Sequence, residues 1–265
     1  MKWPVSVSVH AKDFSEARMA EFEASEIRYM ELTASSVEEI GAVLDRLSDL
    51  KKAAEKHRVK IRSVHLPFFP FEEIDPADRE VSKRENFVRT QTKILQAAAA
   101  AGIGIAVVHP SAEPYSNAER EERLGYAIES LRALQKAAAV CGMRMAIENL
   151  PRTCMGRDIK EMVQILNAVE GTYACFDTNH SLIDENVEFI RTLGGKIIAT
   201  HVSDYDFVDE RHLLPGEGKN DWKGILTALE ETGYTGTWNY EVVNAGQRPA
   251  KVFTENAKTL EKTLF

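Results

Sequence analysis

Short runs dominated by β-branched and apolar residues alternate along this chain with longer stretches in which apolar residues recur every three or four positions. The runs are VSVSV (5–9), IRYMELT (27–33), KIRSVHL (60–66), IGIAVVH (103–109), MRMAIEN (143–149), YACFD (173–177), IIATHVS (197–203) and GTWNYEV (236–242). Each has the length and composition of a strand. The stretches between them carry helix punctuation. SVEEIGAVLDRLSDLKKAAEKH (36–57) opens on Ser-x-x-Glu, the pattern of a capping box, and predicts one helix. NAEREERLGYAIESLRALQKAAAVCG closes on Gly142 and NDWKGILTALEETGY runs to Gly233, where a helix can end in a left-handed turn.

Eight strand–helix units follow one another without a Pro-, Gly- or Ser-rich linker. That rhythm predicts an α/β fold of (β/α)8 TIM-barrel type, with residues 1–265 as a single domain. A doubly wound open sheet would carry a Gly-rich turn after its first strand; HAKDFSEARM has no glycine there. A hydrophobic fraction of 44% is enough for a sizeable core. The net charge of −8 gives no footprint for nonspecific nucleic-acid binding. Cys141, Cys154 and Cys175 are odd in number and form no CxxC pair, as expected of a reducing compartment. The N-terminal segment lacks a long apolar stretch, and no membrane span is expected, so a cytoplasmic location is predicted.

In such a barrel, function sits where the strands end. Strand side chains alternate, so the residue topping each inward face can be read off. These are His65, His109, Glu148, Asp177, His201 and Glu241 for strands 3 to 8, with His10 and Glu31 at similar heights on strands 1 and 2. Neighbouring strands 5 to 8 therefore aim Glu148, Asp177, His201 and Glu241 at one place. Any one of them could cap a helix or pair with a lysine. Three carboxylates together repel in a low-dielectric mouth and call for a counter-charge. A divalent metal ion supplies it, and the mostly hard-oxygen set suits Mn²⁺ or Mg²⁺, with Co²⁺ or Zn²⁺ as alternatives.

The segments SVHLPF, VVHPS, AIENLP, FDTNH, THVSDYD, RHLLPGEGKNDW and WNYEV, taken in order, resemble the xylose-isomerase-like barrel superfamily. That superfamily includes sugar and sugar-phosphate isomerases and epimerases, inosose dehydratase and endonuclease IV. The resemblance implies metal ligands at Glu148, Asp177, His201 and Glu241. It implies Glu148 and Glu241 as an acid–base pair, and His180 as a contact to substrate oxygen. The activity it implies is metal-dependent isomerisation or epimerisation of a sugar or sugar phosphate, by proton transfer through an enediolate stabilised by the metal. Loss of a β-hydroxyl would make it a dehydratase-like lyase instead. His65 and His109 are then candidate substrate contacts. So are Arg211, His212 and Lys219 in the long segment 204–221, which could act as a lid. FFPF (68–71) would supply either an apolar wall beside the sugar or a contact between copies in a homo-oligomer.

The rival is an endonuclease IV-like zinc phosphodiesterase acting on abasic DNA. Its ligand pattern is approximated by His65, His109, Glu148, Asp177, His180, His201, His212 and Glu241. Glu210 stands where an Asp is expected, making Glu210 and His212 candidate additional ligands. Three features favour the sugar branch. PRTCMGRDI (151–159) lacks a Gly/Ser-rich stretch, the loop after strand 2 lacks basic or aromatic wedges, and HLLPGEGKNDW resembles the isomerases.

Overall fold

The computed structural model describes residues 1–264. All eight apolar runs form strands: β1 (Val5–His10), β2 (Tyr29–Thr33), β3 (Lys60–His65), β4 (Ile105–Val108), β5 (Arg144–Glu148), β6 (Tyr173–Asp177), β7 (Ile197–His201) and β8 (Trp238–Tyr240). The helices between them are α1 (Glu16–Ala24), α2 (Val37–Leu44), α3 (Leu47–Lys56), α4 (Val81–Ala100), α5 (Arg120–Val140), α6 (Ile159–Ala168), α7 (Asn186–Leu193) and α8 (Trp222–Glu231), and α9 (Lys251–Glu261) follows β8. The strands pair in parallel in the order β7-β6-β5-β4-β3-β2-β1-β8. Just past β7, the Val202 N–H donates to the Asn239 carbonyl at 2.8 Å and the Glu241 N–H donates to the Val202 carbonyl at 3.1 Å. These bonds bring β8 round to β7 and nearly close the barrel, satisfying edges that would otherwise stand open.

Alternation along the strands sorts the core into two shells. Inside the barrel, Ile105, Val107, Ala146, Cys175 and Ala199 pack together. Small residues dominate because side chains from all strands compete for the axis. The opposite faces are larger: Phe176 of β6 is fully buried, its ring 5.5 Å from that of Phe189 on α7. Burying one such ring contributes about 1.5–3 kcal/mol.

The predicted capping box is present. The Ser36 hydroxyl accepts from the Glu39 N–H at 3.1 Å, and the Glu39 carboxylate accepts from the Ser36 N–H at 3.4 Å. The single helix expected over 36–57 is instead two, α2 and α3, with Asp45 and Arg46 between them. Arg46, at φ −106° and ψ 0°, stays in the right-handed region but off regular helix angles. Both residues are exposed, whereas Ile40, Val43, Leu47 and Leu50 stay buried. The break therefore redirects the chain without taking its apolar stripe out of the core. Gly142 and Gly233 adopt φ +68° and +71° directly after the ends of α5 and α8, as their positions predict.

Candidate active site

The strand ends converge as the alternation requires. Glu148, Asp177, His201 and Glu241 each offer a ligand atom within 4.8 Å of the others. His201 is central: its Nδ1 lies 2.9 Å from Glu148 Oε1, 3.1 Å from Glu241 Oε2 and 3.9 Å from Asp177 Oδ2. Its Nε2 lies 2.8 Å from Glu31 Oε1. Glu148 is ringed by imidazoles, since His65 Nε2 and His109 Nε2 stand 3.1 and 3.3 Å from Oε2, and His180 Nδ1 stands 3.5 Å from Oε1. Glu241 is less enclosed. Its Oε2 faces His201, and its other oxygen has no hydrogen-bond partner among the described residues.

Side chains extend the sheet past the strand ends and fix these positions. Asn149 accepts from the Asp177 N–H at 2.8 Å and donates to the Asp177 carbonyl at 3.0 Å, which rivets β5 to β6. Thr178 Oγ1 donates to the Ser203 carbonyl at 2.7 Å and accepts from the Ser203 N–H at 3.1 Å, which rivets β6 to β7. Beneath the cluster, Glu31 also accepts from Ser63 Oγ at 2.7 Å and Ser8 Oγ at 3.1 Å. Sequence reasoning leaves Asn149 and Thr178 unremarked. The only available signal was their position directly after a strand-end carboxylate.

A second group forms above the first. His180 Nε2 and His212 Nε2 lie 3.3 and 3.0 Å from Glu210 Oε1. Each ring turns its Nδ1 to a backbone carbonyl, Asn149 O at 2.9 Å for His180 and Glu241 O at 3.0 Å for His212. That contact orients each ring so that its Nε2 points at Glu210. His212 holds a left-handed φ of +46°, a strained value for a side-chain-bearing residue, and the bond to Glu241 helps to keep it there. The Glu210 carboxylate is also ion-paired to Arg152.

Burial sets the electrostatics. It pushes Asp177 up to about 7, with the Glu148 and Glu241 charges adding to the rise against nearby His180 and His212. Burial acts against charging His180 and His212, but the carboxylates win, Asp177 and Glu210 foremost, and hold them at about 10 and about 9. Burial also works against Glu241, yet His201 brings it down to about 2. Glu148 is likewise depressed well below the ordinary carboxylate value despite its burial, because His201, His109 and His65 surround it. Burial lowers His109 and also works against charging His65, which Glu148 nonetheless raises.

The fit of a metal ion to this donor set rests on one atom. Asp177 Oδ2 is buried with no hydrogen-bond partner among the described residues. A lone carboxylate oxygen is costly to bury, and a cation held by Glu148, Asp177, His201 and Glu241 would satisfy it.

The cluster opens into a cavity of about 490 Å³, whose lining includes Glu148, His180, Glu210, His212 and Glu241. His65 and His109 also line it, and Phe68 stacks on His109 with centroids 4.4 Å apart and planes at 12°. Of the FFPF aromatics, Phe68 is in the lining, while Phe69 lies 42% exposed. Arg211 reaches the cavity but pairs with Asp206 at 3.0 Å. Lys219 is exposed and is not brought to the cavity. His10 lines the mouth beside Glu39 at 3.3 Å, whereas Glu31 sits below it.

A parallel barrel with polar strand ends gathered at its C-terminal mouth defines the class of protein. A family model described as xylose isomerase-like TIM barrel matches residues 14–263, and the chain belongs to that family. Among its relatives, the uncharacterized protein MJ1311 of Methanocaldococcus jannaschii is 27% identical over 205 residues, covering 74% of this chain and 68% of the relative. The uncharacterized protein y4fM of Sinorhizobium fredii is 26% identical over 169 residues, covering 60% of this chain and 53% of the relative. Among solved structures, a D-tagatose 3-epimerase-like protein superposes with a TM-score of 0.80 at 20% identity, covering 98% of this chain and 99% of that one. D-psicose 3-epimerase from Clostridium cellulolyticum H10 gives 0.76 at 17% identity, with 97% of both chains covered. The 3-keto-D-glucoside 4-epimerase YcjR from E. coli gives 0.76 at 17% identity, covering 98% and 99%. No helix among the described residues is long and apolar enough to cross a membrane.

Proposed function

We propose that this protein is a divalent-metal-dependent sugar or sugar-phosphate epimerase or isomerase. The observation that carries the proposal is the cluster itself: four donor groups within 4.8 Å of one another, one oxygen of Asp177 buried and unpartnered, at the floor of a cavity that Glu148 and Glu241 also line. Glu148, Asp177, His201 and Glu241 would hold the ion, with Mn²⁺ or Mg²⁺ the better match to three carboxylates and one imidazole. When bound, the cation supplies Lewis acidity to a substrate carbonyl and its neighbouring hydroxyl.

The protein's own groups do the proton work. Glu241, which lines the cavity and has one oxygen without a hydrogen-bond partner among the described residues, is placed to take the proton from the carbon beside the carbonyl. Glu148, on the other side of His201, would return a proton drawn from the His65 imidazole, whose Nε2 lies 3.1 Å away, while Glu241 passes its own proton to solvent. Return to the opposite face of the same carbon is epimerisation, and return to the neighbouring carbon is isomerisation. His180 holds a substrate oxygen, its ring fixed by the Asn149 carbonyl. The D-tagatose and D-psicose 3-epimerase names of the structural neighbours agree with this chemistry. Expulsion of a β-hydroxyl from the same intermediate would give a dehydratase-like lyase.

The test is solvent-deuterium exchange next to the carbonyl, across ketoses and their phosphates, with Mn²⁺ present and after EDTA. Exchange should require metal and fall by about 10²–10⁴-fold in Glu241→Gln and in Glu148→Gln. Exchange that persists in both variants would remove the acid–base assignment.

One observation favours a second reading, a metal phosphodiesterase of the endonuclease IV kind. His180, Glu210 and His212 form a separate candidate ligand group, and His65, Glu148 and His201 another. Metal analysis separates the two: about one ion per chain supports the epimerase, whereas three zinc ions with cutting of abasic DNA support the nuclease.

A further inference from the structure

The cavity is larger than one sugar needs. Its volume of about 490 Å³ equals about 16 waters at ~30 Å³ each, and a hexose of six carbons and six oxygens displaces roughly half that or less. The surplus lies away from the carboxylates, where the end of β2 and the loops after β1, β2 and β8 contribute Lys12, Asp13, Thr33, Ser35, Asn244 and Gln247 to the lining. In the strand order, β1 and β2 face β5 and β6 across the mouth. Among the described residues, the side chains of these six groups take no hydrogen bond and no ion pair, whereas the polar groups at the cluster are nearly all engaged. His10, at the border, has a buried Nδ1 without a partner.

This sector is preformed. Arg18 of α1, almost fully buried, donates from Nη2 to the Ala245 carbonyl and from Nη1 to the Arg248 carbonyl, both at 2.8 Å. Glu21 accepts from the Ala250 N–H at 2.8 Å. The β8 loop is thereby held against α1. Gly246 packs so closely on Asp13 that an added Cβ would stand 2.3 Å from Oδ2, so the loops after β1 and β8 meet as one surface. Rigid loops bearing uncommitted hydroxyl, amide, carboxylate and ammonium groups suit a polyol, which offers many donors and acceptors and little apolar area. The Phe68 ring, also in the lining, adds apolar surface for sugar C–H groups.

We infer that the substrate is a ketose carrying a second glycosyl unit. The reacting sugar lies at Glu148 and Glu241, and the second unit lies against Asp13, Ser35 and Gln247. This inference rests on the sugar epimerase or isomerase reading above.

The test compares kcat/KM for Mn²⁺-dependent deuterium exchange on three probe sets: free ketohexoses, ketose disaccharides such as lactulose and isomaltulose, and ketose phosphates. The disaccharides should exceed the ketohexoses by about tenfold or more, as one or two added ligand hydrogen bonds would give. Asp13→Ala and Gln247→Ala should cut the disaccharide value, chiefly through KM, about tenfold more than the ketohexose value. Thermal unfolding of each variant separates this from misfolding, and Gln247, on an exposed loop, serves if Asp13→Ala is unstable. Ketohexoses equal to or better than disaccharides would overturn the inference and leave the sugar reading standing. A preference for phosphates that Lys12→Ala abolishes would overturn it in favour of an anion site. No exchange on any sugar would end the sugar reading, and this inference with it.

Discussion

Glu31 shows how much a single buried group can decide. Three donors converge on it, from Ser8, Ser63 and His201, and all of them are buried. Because Nε2 of His201 is held by Glu31, it is Nδ1 that faces Glu148 and Glu241. A carboxylate behind a ligating imidazole orients the ring and raises its basicity. Glu31→Gln keeps the shape but weakens this support, and should lower Mn²⁺ affinity by about 10–100-fold, measured by titration calorimetry. The metal-free variant should unfold close to wild type, and unchanged affinity would assign Glu31 a packing role only. The six inward-facing residues at or just past the ends of β3 to β8 were legible because alternation and a strand boundary suffice to place them. The partnership of Glu31 with His201 was not, because it spans 170 positions and depends on barrel stagger. Neither was the clamp of Asn149 on Asp177, since an Asn after a strand reads equally well as the start of a turn.

Among the elements, the segment after β7 differs most from expectation. Its length and glycines suggested a lid, yet its far half is tied to one carboxylate. Asp204, fully buried, accepts from the N–H groups of Tyr205 at 2.9 Å, Gly216 at 2.6 Å, Gly218 at 2.9 Å and Asn220 at 3.0 Å, and from Trp222 Nε1 at 2.9 Å. Gly218 is required there, because an added Cβ would stand 2.6 Å from Asp204 Oδ1. The same loop presents Glu210, Arg211 and His212 to the cavity. Asp204→Ala strands several buried donors and should cost about 3–4 kcal/mol in urea unfolding, with loss of deuterium exchange. Lys219→Ala, on the exposed side of the same loop, should stay within about 0.5 kcal/mol; an equal loss in both variants would show that Asp204 is not the pin. Sequence could not separate a lid from a strapped loop, since both use Gly and Pro, and the five donors meet only after folding. The division of 36–57 into α2 and α3 was hidden for a related reason: Ile40, Val43, Leu47 and Leu50 keep helical spacing straight across the break.

For the molecule as a whole, the charged mouth ties metal-free stability and metal affinity to pH in opposite senses. In the metal-free protein, His180 and His212 sit at about 10 and about 9, above the ordinary 6.5 of an unfolded chain. Below pH 6.5 both states hold these protons and the stabilisation is fully present. As pH rises to 10, the unfolded chain releases its protons first and the folded protein loses that contribution. Asp177, raised to about 7 from 3.8, acts with the same sign at lower pH, since the folded state must keep a proton that the unfolded state gives up. Glu241, depressed to about 2, opposes it, because its contribution is present above 4.5 and lost as pH falls through 2. EDTA-treated protein should therefore melt at progressively lower temperature between pH 6.5 and pH 10. Bound Mn²⁺ replaces the protons as counter-charge, so its affinity should rise over the same range. At 100 times Kd it should add about 2.7 kcal/mol, or about 5–10 °C in Tm for a barrel of this size. Calorimetric scans with and without Mn²⁺ should diverge as pH rises, and parallel curves would mean that the carboxylates and imidazoles at the barrel mouth do not share a cation.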